Sequence, residues 1–122
     1  MRIYRTKEFT RIARRQGIAD QGLCEAAERA GRGLIDADLR AGLIKQRVPR
    51  KGRSGGFRVL AAFREGHRCV FLYAFPKSQR DNIEDDELAD WHKIATAFLR
   101  MSNETIEELI ENDELREVMC DD

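Results

Sequence analysis

Eleven lysines and arginines fall between Arg40 and Arg80, against one acid, Glu65. A run of this composition suits a polyanion. The stretch Leu43–Val48 reads as a strand, and its period of two puts Lys45 and Arg47 on one face, with Ile44, Gln46 and Val48 on the other. Arg50-Lys51-Gly52-Arg53-Ser54-Gly55-Gly56 then supplies further cations, with glycines that let backbone N–H groups approach a phosphate. Such a segment can serve as a charged edge that discourages aggregation. Arginine outnumbers lysine here, however, and its planar fork suits bidentate phosphate contact, so nucleic acid is the preferred partner. Phe57, Phe63, Phe71, Tyr73 and Phe75 are interleaved with these cations. They read mainly as core, with Tyr73 the one able to offer a polar end to a base.

The elements that must carry these side chains are marked by turn and cap residues. Arg2-Ile3-Tyr4 reads as a short strand, and Thr6 can cap a helix whose Phe9, Ile12 and Ala13 share a face before Gly17 ends it. Asp20 can cap a second helix, with Leu23, Ala26, Ala27 and Ala30 along one side and Gly31 and Gly33 closing it. Strands over Leu43–Val48, Phe57–Phe63 and Cys69–Phe75 form an antiparallel meander punctuated by Pro49, Gly66 and Pro76. Asp85-Asp86-Glu87 suits a helix N-terminus, and Leu88, Trp91, Ile94, Ala95, Phe98 and Leu99 continue as one stripe. Ser102 can cap a last helix bearing Ile106, Leu109 and Ile110, while residues 114–122 fit either a frayed helix or a short strand. The expected fold is α+β, a small antiparallel sheet with helices packed on one side and an acidic helical C-terminal extension. One domain over residues 1–122 is expected, with its core in 1–101 and the extension in 102–122.

The net charge of zero hides a division of the chain. Residues 1–80 hold 19 Lys and Arg against 7 Asp and Glu, and residues 81–122 hold 3 against 15. Cys24, Cys69 and Cys120 are far apart without a CxxC pair and read as reduced thiols, the first two as small buried hydrophobes. No run is long and apolar enough to span a bilayer, and MRIYRTKEF lacks the centre of a signal peptide, so a soluble, cytoplasmic protein is expected. His67 reads as a solvated turn residue and His92 as a surface or half-buried one. Neither has a spaced partner for metal.

Lys45-Gln46-Arg47, Ser54-Gly55-Gly56-Phe57-Arg58 and Tyr73-Ala74-Phe75-Pro76-Lys77-Ser78-Gln79-Arg80 together resemble the central strands of the RelE/ParE toxin superfamily. The pattern is Gly-Phe-Arg followed some twenty residues later by Lys-x-x-Arg after a strand, and the resemblance covers about the first hundred residues. It implies a compact sheet with helices against it, a cognate antitoxin and, for the RelE and HigB branches, cleavage of mRNA on the ribosome. In that reaction the 2′-hydroxyl attacks the adjacent phosphate and leaves a cyclic phosphate, with no metal and no other cofactor. Carried over by position, Lys45, Arg47, Arg58, Lys77 and Arg80 are the catalytic candidates, and Arg50, Lys51, Arg53 and Tyr73 the RNA-binding ones. The family's RNases often place a tyrosine or histidine after the last basic element, where this chain has Asp81-Asn82-Ile83-Glu84.

A pentacoordinate phosphorane concentrates charge on its equatorial oxygens, so arginines aimed there favour the transition state over the substrate. Arg58, in mid-strand, is the most rigid candidate for that role, and Lys45 or Lys77 is the candidate general base. A ParE-like toxin that inhibits DNA gyrase without catalysis is the competing expectation. A regulator that reads duplex DNA is disfavoured, because no predicted helix is a basic recognition helix.

Overall fold

A computed structural model describes residues 1–50, 53–80 and 82–120, and of Arg50, Arg53 and Ser54 the backbone alone. In chain order the elements are β1 (Arg2–Thr6), α1 (Lys7–Gln16), α2 (Asp20–Gly31), β2 (Ala37–Asp38) and β3 (Leu43–Arg50). There follow β4 (Arg53–Arg64), β5 (Arg68–Pro76), α3 (Asp85–Arg100), α4 (Asn103–Glu111) and β6 (Leu115–Glu117). The fold is α+β, as expected, with one six-stranded sheet in the order β2-β3-β4-β5-β1-β6.

The helix boundaries follow the caps. Thr6 Oγ1 accepts the Phe9 N–H at 3.1 Å, and Gly17, at φ +74°, closes α1 in the left-handed region that favours glycine. Ser102 Oγ accepts the Thr105 N–H at the start of α4. Asp20 does not cap α2; Ala19 holds that position, and Asp20 sits in the first turn, where its carboxylate meets Arg5.

The meander β3-β4-β5 is antiparallel as expected, but the sheet is mixed, since β1 lies parallel to β5 with Ile3 opposite Cys69. A second correction concerns the layers: helices cover both faces rather than one. Phe9, Leu23 and Ala26 of α1 and α2 pack on Ile44, Val59 and Phe71. Ala95, Leu99 and Ile106 of α3 and α4 pack on Leu43, Leu60 and Val70 from the other side. The physical reason lies in β5, whose side chains from Arg68 to Leu72 are all buried, which a sheet with one bare face could not provide.

Lys45 and Arg47 do share a face, yet it is not a helix-free one opposite Trp91, Ile94 and Phe98. They share the Leu43 and Leu60 face that α3 covers. That helix stacks Trp91 on Tyr73 and sets Leu99 over Gly42, where any Cβ would collide with it.

The C-terminal segment carries the expected helix α4, and of the two readings open for residues 114–122 the short strand forms. Its strand β6 pairs antiparallel with β1, and Ile106, Leu115 and Val118 are buried in the two cores. Arg2 grips Glu117 through Nε and Nη2, both at 2.8 Å, which holds the Glu117 carboxyl below its usual range. The expectation of three reduced thiols fails: Cys24 of α2 is disulfide-bonded to Cys120, 96 positions away, with Cα atoms 5.8 Å apart. Spacing in the chain carries no trace of this pairing, which arises because β6 returns the C-terminus to α2. Cys69 is the buried thiol expected, and burial pushes it up to about 12.

Arg68 leaves the set of cations available to a ligand. It is 3% exposed; Nη1 donates to the carbonyls of Phe98 (2.7 Å) and Met101 (2.9 Å), and Nη2 to Asn103 Oδ1 (3.1 Å). These bonds satisfy carbonyls at the C-terminal end of α3 that the helix itself leaves open. Arg68→Ala is expected to lower stability by roughly 3 kcal/mol, through orphaned buried carbonyls and lost packing. Chemical denaturation checks this, and a midpoint equal to that of the parent would contradict it.

Candidate nucleic-acid interface

Strand register lays out the site in two rows. Across β3, β4 and β5 the first row reads Arg47, Arg58, Phe75, and the second reads Lys45, Leu60, Tyr73. A bulge between Leu60 and Ala61 resets the β4–β5 pairing beyond these rows. Arg47 is open to solvent, with 67% of its side chain exposed, whereas Arg58 is only 8% exposed. The Arg58 Nη1 donates to the Gly55 carbonyl at 3.5 Å. Gly55 and Gly56, at φ +86° and +58°, make the turn of backbone that brings this carbonyl round. The Lys77 N–H donates to the Gly56 carbonyl at 3.2 Å, tying the end of β5 to the same hairpin.

A cavity of about 580 Å³ opens here, lined by Arg29, Arg47, Arg58 and Lys77 together with Glu25. A smaller one of about 250 Å³ is walled by Asp36, Lys45, Arg47 and Arg58. Arg47 and Arg58 therefore line both recesses. Arg29, from α2, is a cation that sequence reasoning did not single out.

Arg80 sits beside this row rather than inside the cavity. Its guanidinium lies over Phe75 (5.0 Å to the ring centre) and Tyr73 (5.9 Å), and forks onto Glu87 at 2.7 and 3.1 Å. The pairing raises Arg80 and holds Glu87 below the usual carboxylate range, so the fork persists at neutral pH and opens as pH falls through that lowered value. Tyr73 stacks on Trp91, ring centres 5.3 Å apart and planes at 25°. Lys45 Nζ donates to Asn82 Oδ1 at 3.1 Å, so the segment after the last basic element contacts the site through Asn82.

The structure thus brings Lys45, Arg47, Arg58 and Lys77 together, with Arg80 and Tyr73 adjoining. Arg50 and Arg53 pair across the hairpin by their backbones, while their side chains and all of Lys51 lie outside the described residues. His92 is held elsewhere, its Nε2 2.6 Å from the Leu39 carbonyl, and His67 is exposed in a turn.

Residues 1–118 match the family described as the RelE toxin of the RelE/RelB toxin–antitoxin system. The chain belongs to the RelE toxin family. Such a toxin is one half of a pair, so a cognate antitoxin is its partner. The match runs past the hundred or so residues that the sequence motifs suggested and takes in β6, in keeping with its place in the sheet. No curated protein matches the chain. Among the described residues no helix is long and apolar enough to cross a membrane.

Proposed function

We propose that this RelE toxin is an endoribonuclease that cuts messenger RNA bound to the ribosome, in the cytoplasm where translation occurs. The observation that carries the reading is the convergence of Arg29, Arg47, Arg58 and Lys77 from four segments of chain on one cavity. A protein that only blocks a partner has no need of cations gathered around one cavity. In the proposed reaction the 2′-hydroxyl loses its proton and attacks phosphorus. The P–O5′ bond breaks, the 5′-oxygen takes a proton, and a 2′,3′-cyclic phosphate remains.

Arg58 is assigned to the equatorial oxygens, because the hairpin and the buried face hold its guanidinium in place before substrate arrives. Arg47 and Lys77, which line the same cavity, contact the scissile phosphate, and Lys45 or Lys77 serves in proton transfer. Arg80 faces the neighbouring nucleotide from its seat on Phe75, and Tyr73 presents its hydroxyl edge to a base. Arg50, Lys51 and Arg53 contact flanking phosphates.

Affinity for programmed ribosomes should fall steeply with salt, because bound phosphates release counterions. The Arg50→Ala/Lys51→Ala/Arg53→Ala variant should reduce the slope of log affinity against log salt by roughly 2 to 3. A binding isotherm series from low to physiological salt checks this; a flat dependence for the parent would remove the phosphate role.

A further inference from the structure

The segment between α2 and β3 carries a carboxylate to which the proposed reaction assigns no part. Asp36 Oδ2 accepts the backbone N–H of Arg47 at 2.7 Å and lies 3.6 Å from Arg29 Nη1, while its Oδ1 is 3.8 Å from Arg47 Nε. Arg29 Nη2 in turn donates to the Arg47 carbonyl at 2.5 Å. Both arginines that line the larger cavity from α2 and β3 therefore hang on one aspartate, whose side chain is 24% exposed.

Asp36 is itself held from the core. Gln46, 1% exposed and flanked by the apolar positions Ile44 and Val48, accepts the Asp36 N–H at 2.7 Å through Oε1. Its Nε2 donates to the carbonyls of Ala26 and Leu34, both at 3.1 Å. One buried amide thus joins α2, the connecting segment and β3. A buried polar group whose bonds are all made specifies a single arrangement, since any slip would leave it unsatisfied.

We infer that Asp36, fixed by Gln46, is a positioning residue that aims Arg29 and Arg47 at the scissile phosphate. This rests on the endoribonuclease reading. A carboxylate beside two guanidinium groups has another conceivable effect, which is to compete with the phosphate, and the two effects oppose each other in sign. If Asp36 only competed, its removal would strengthen both binding and cutting. If it positions, removal of its charge leaves ribosome binding equal or tighter, because the net positive charge rises, while the cutting step slows because the arginines lose their fixed aim.

The experiment compares wild type, Asp36→Asn and Asp36→Ala in single-turnover cleavage of ribosome-bound mRNA, alongside ribosome affinity and thermal melting. Asp36→Asn keeps an acceptor for the Arg47 N–H and tests the charge alone; Asp36→Ala removes both. The expected result is a fall in the cleavage rate constant of about tenfold for Asn and on the order of a hundredfold for Ala, with affinity equal or tighter. Cleavage by both variants within threefold of wild type, faster cleavage, or a loss wholly accounted for by weaker binding or unfolding would overturn the role of Asp36 while leaving the endoribonuclease reading intact. Absence of cleavage by wild type itself would overturn that reading, and the role of Asp36 with it.

Discussion

Arg58→Ala is expected to lower the rate of mRNA cleavage by two to three orders of magnitude while ribosome binding persists. The basis is the difference between the two arginines of the first row. Arg47 is largely in solvent and Arg58 is buried, so Arg58 is the more rigidly held of the two before the substrate arrives. Loss of one such preorganised contact to transition-state charge costs about 3 to 4 kcal/mol, whereas one ground-state phosphate contact among several costs far less. Cleavage rates on purified ribosomes with bound message, measured with the affinity, separate the two. A variant that cuts within tenfold of wild type would remove Arg58 from the chemistry. Its partners in the fold also matter, so the melting midpoint is measured on the same sample.

Opening the Cys24–Cys120 bond is expected to give the largest change in stability. A cross-link between residues 96 positions apart restricts the unfolded chain strongly, and the chain-entropy limit for a loop of that size is about 4.7 kcal/mol. Cys120→Ser should therefore lower the denaturation midpoint. Reductant should lower that of the parent to the same value and leave the variant's unchanged. An unchanged midpoint in the parent would show that the bond contributes nothing. Ribosomes work in a compartment whose thiol pools keep most such pairs reduced, so the reduced form should still fold and act. The features available to it are the β1–β6 pairing and the fork between Arg2 and Glu117.

What could be read from the chain was local in cause. Thr6, Gly17 and Ser102 mark helix ends through bonds they make within a few residues, and the meander follows from proline, glycine and apolar alternation. The features that escaped depend on contacts between distant segments: the parallel seat of β1, the pairing of β6 with β1, helices on both faces and the disulfide. Charge counting misled at Arg68, because composition does not reveal which arginine turns inward to close a helix end. At the site, the two-residue spacing correctly pairs Lys45 with Arg47, but Arg29 and Asp36 arrive from elsewhere in the chain. Gln46, an amide at a core position between Ile44 and Val48, was the available signal that something polar had to be held there.

The central claim is tested most directly by mapping mRNA 5′ ends after the toxin is expressed without its antitoxin, or added to translating ribosomes in vitro. The account predicts new ends within codons of ribosome-bound messages, a 2′,3′-cyclic phosphate on the upstream fragment, and no cutting of the same RNA without ribosomes. Intact messages together with inhibited DNA gyrase would contradict it and make this RelE-family chain a toxin that binds without cutting.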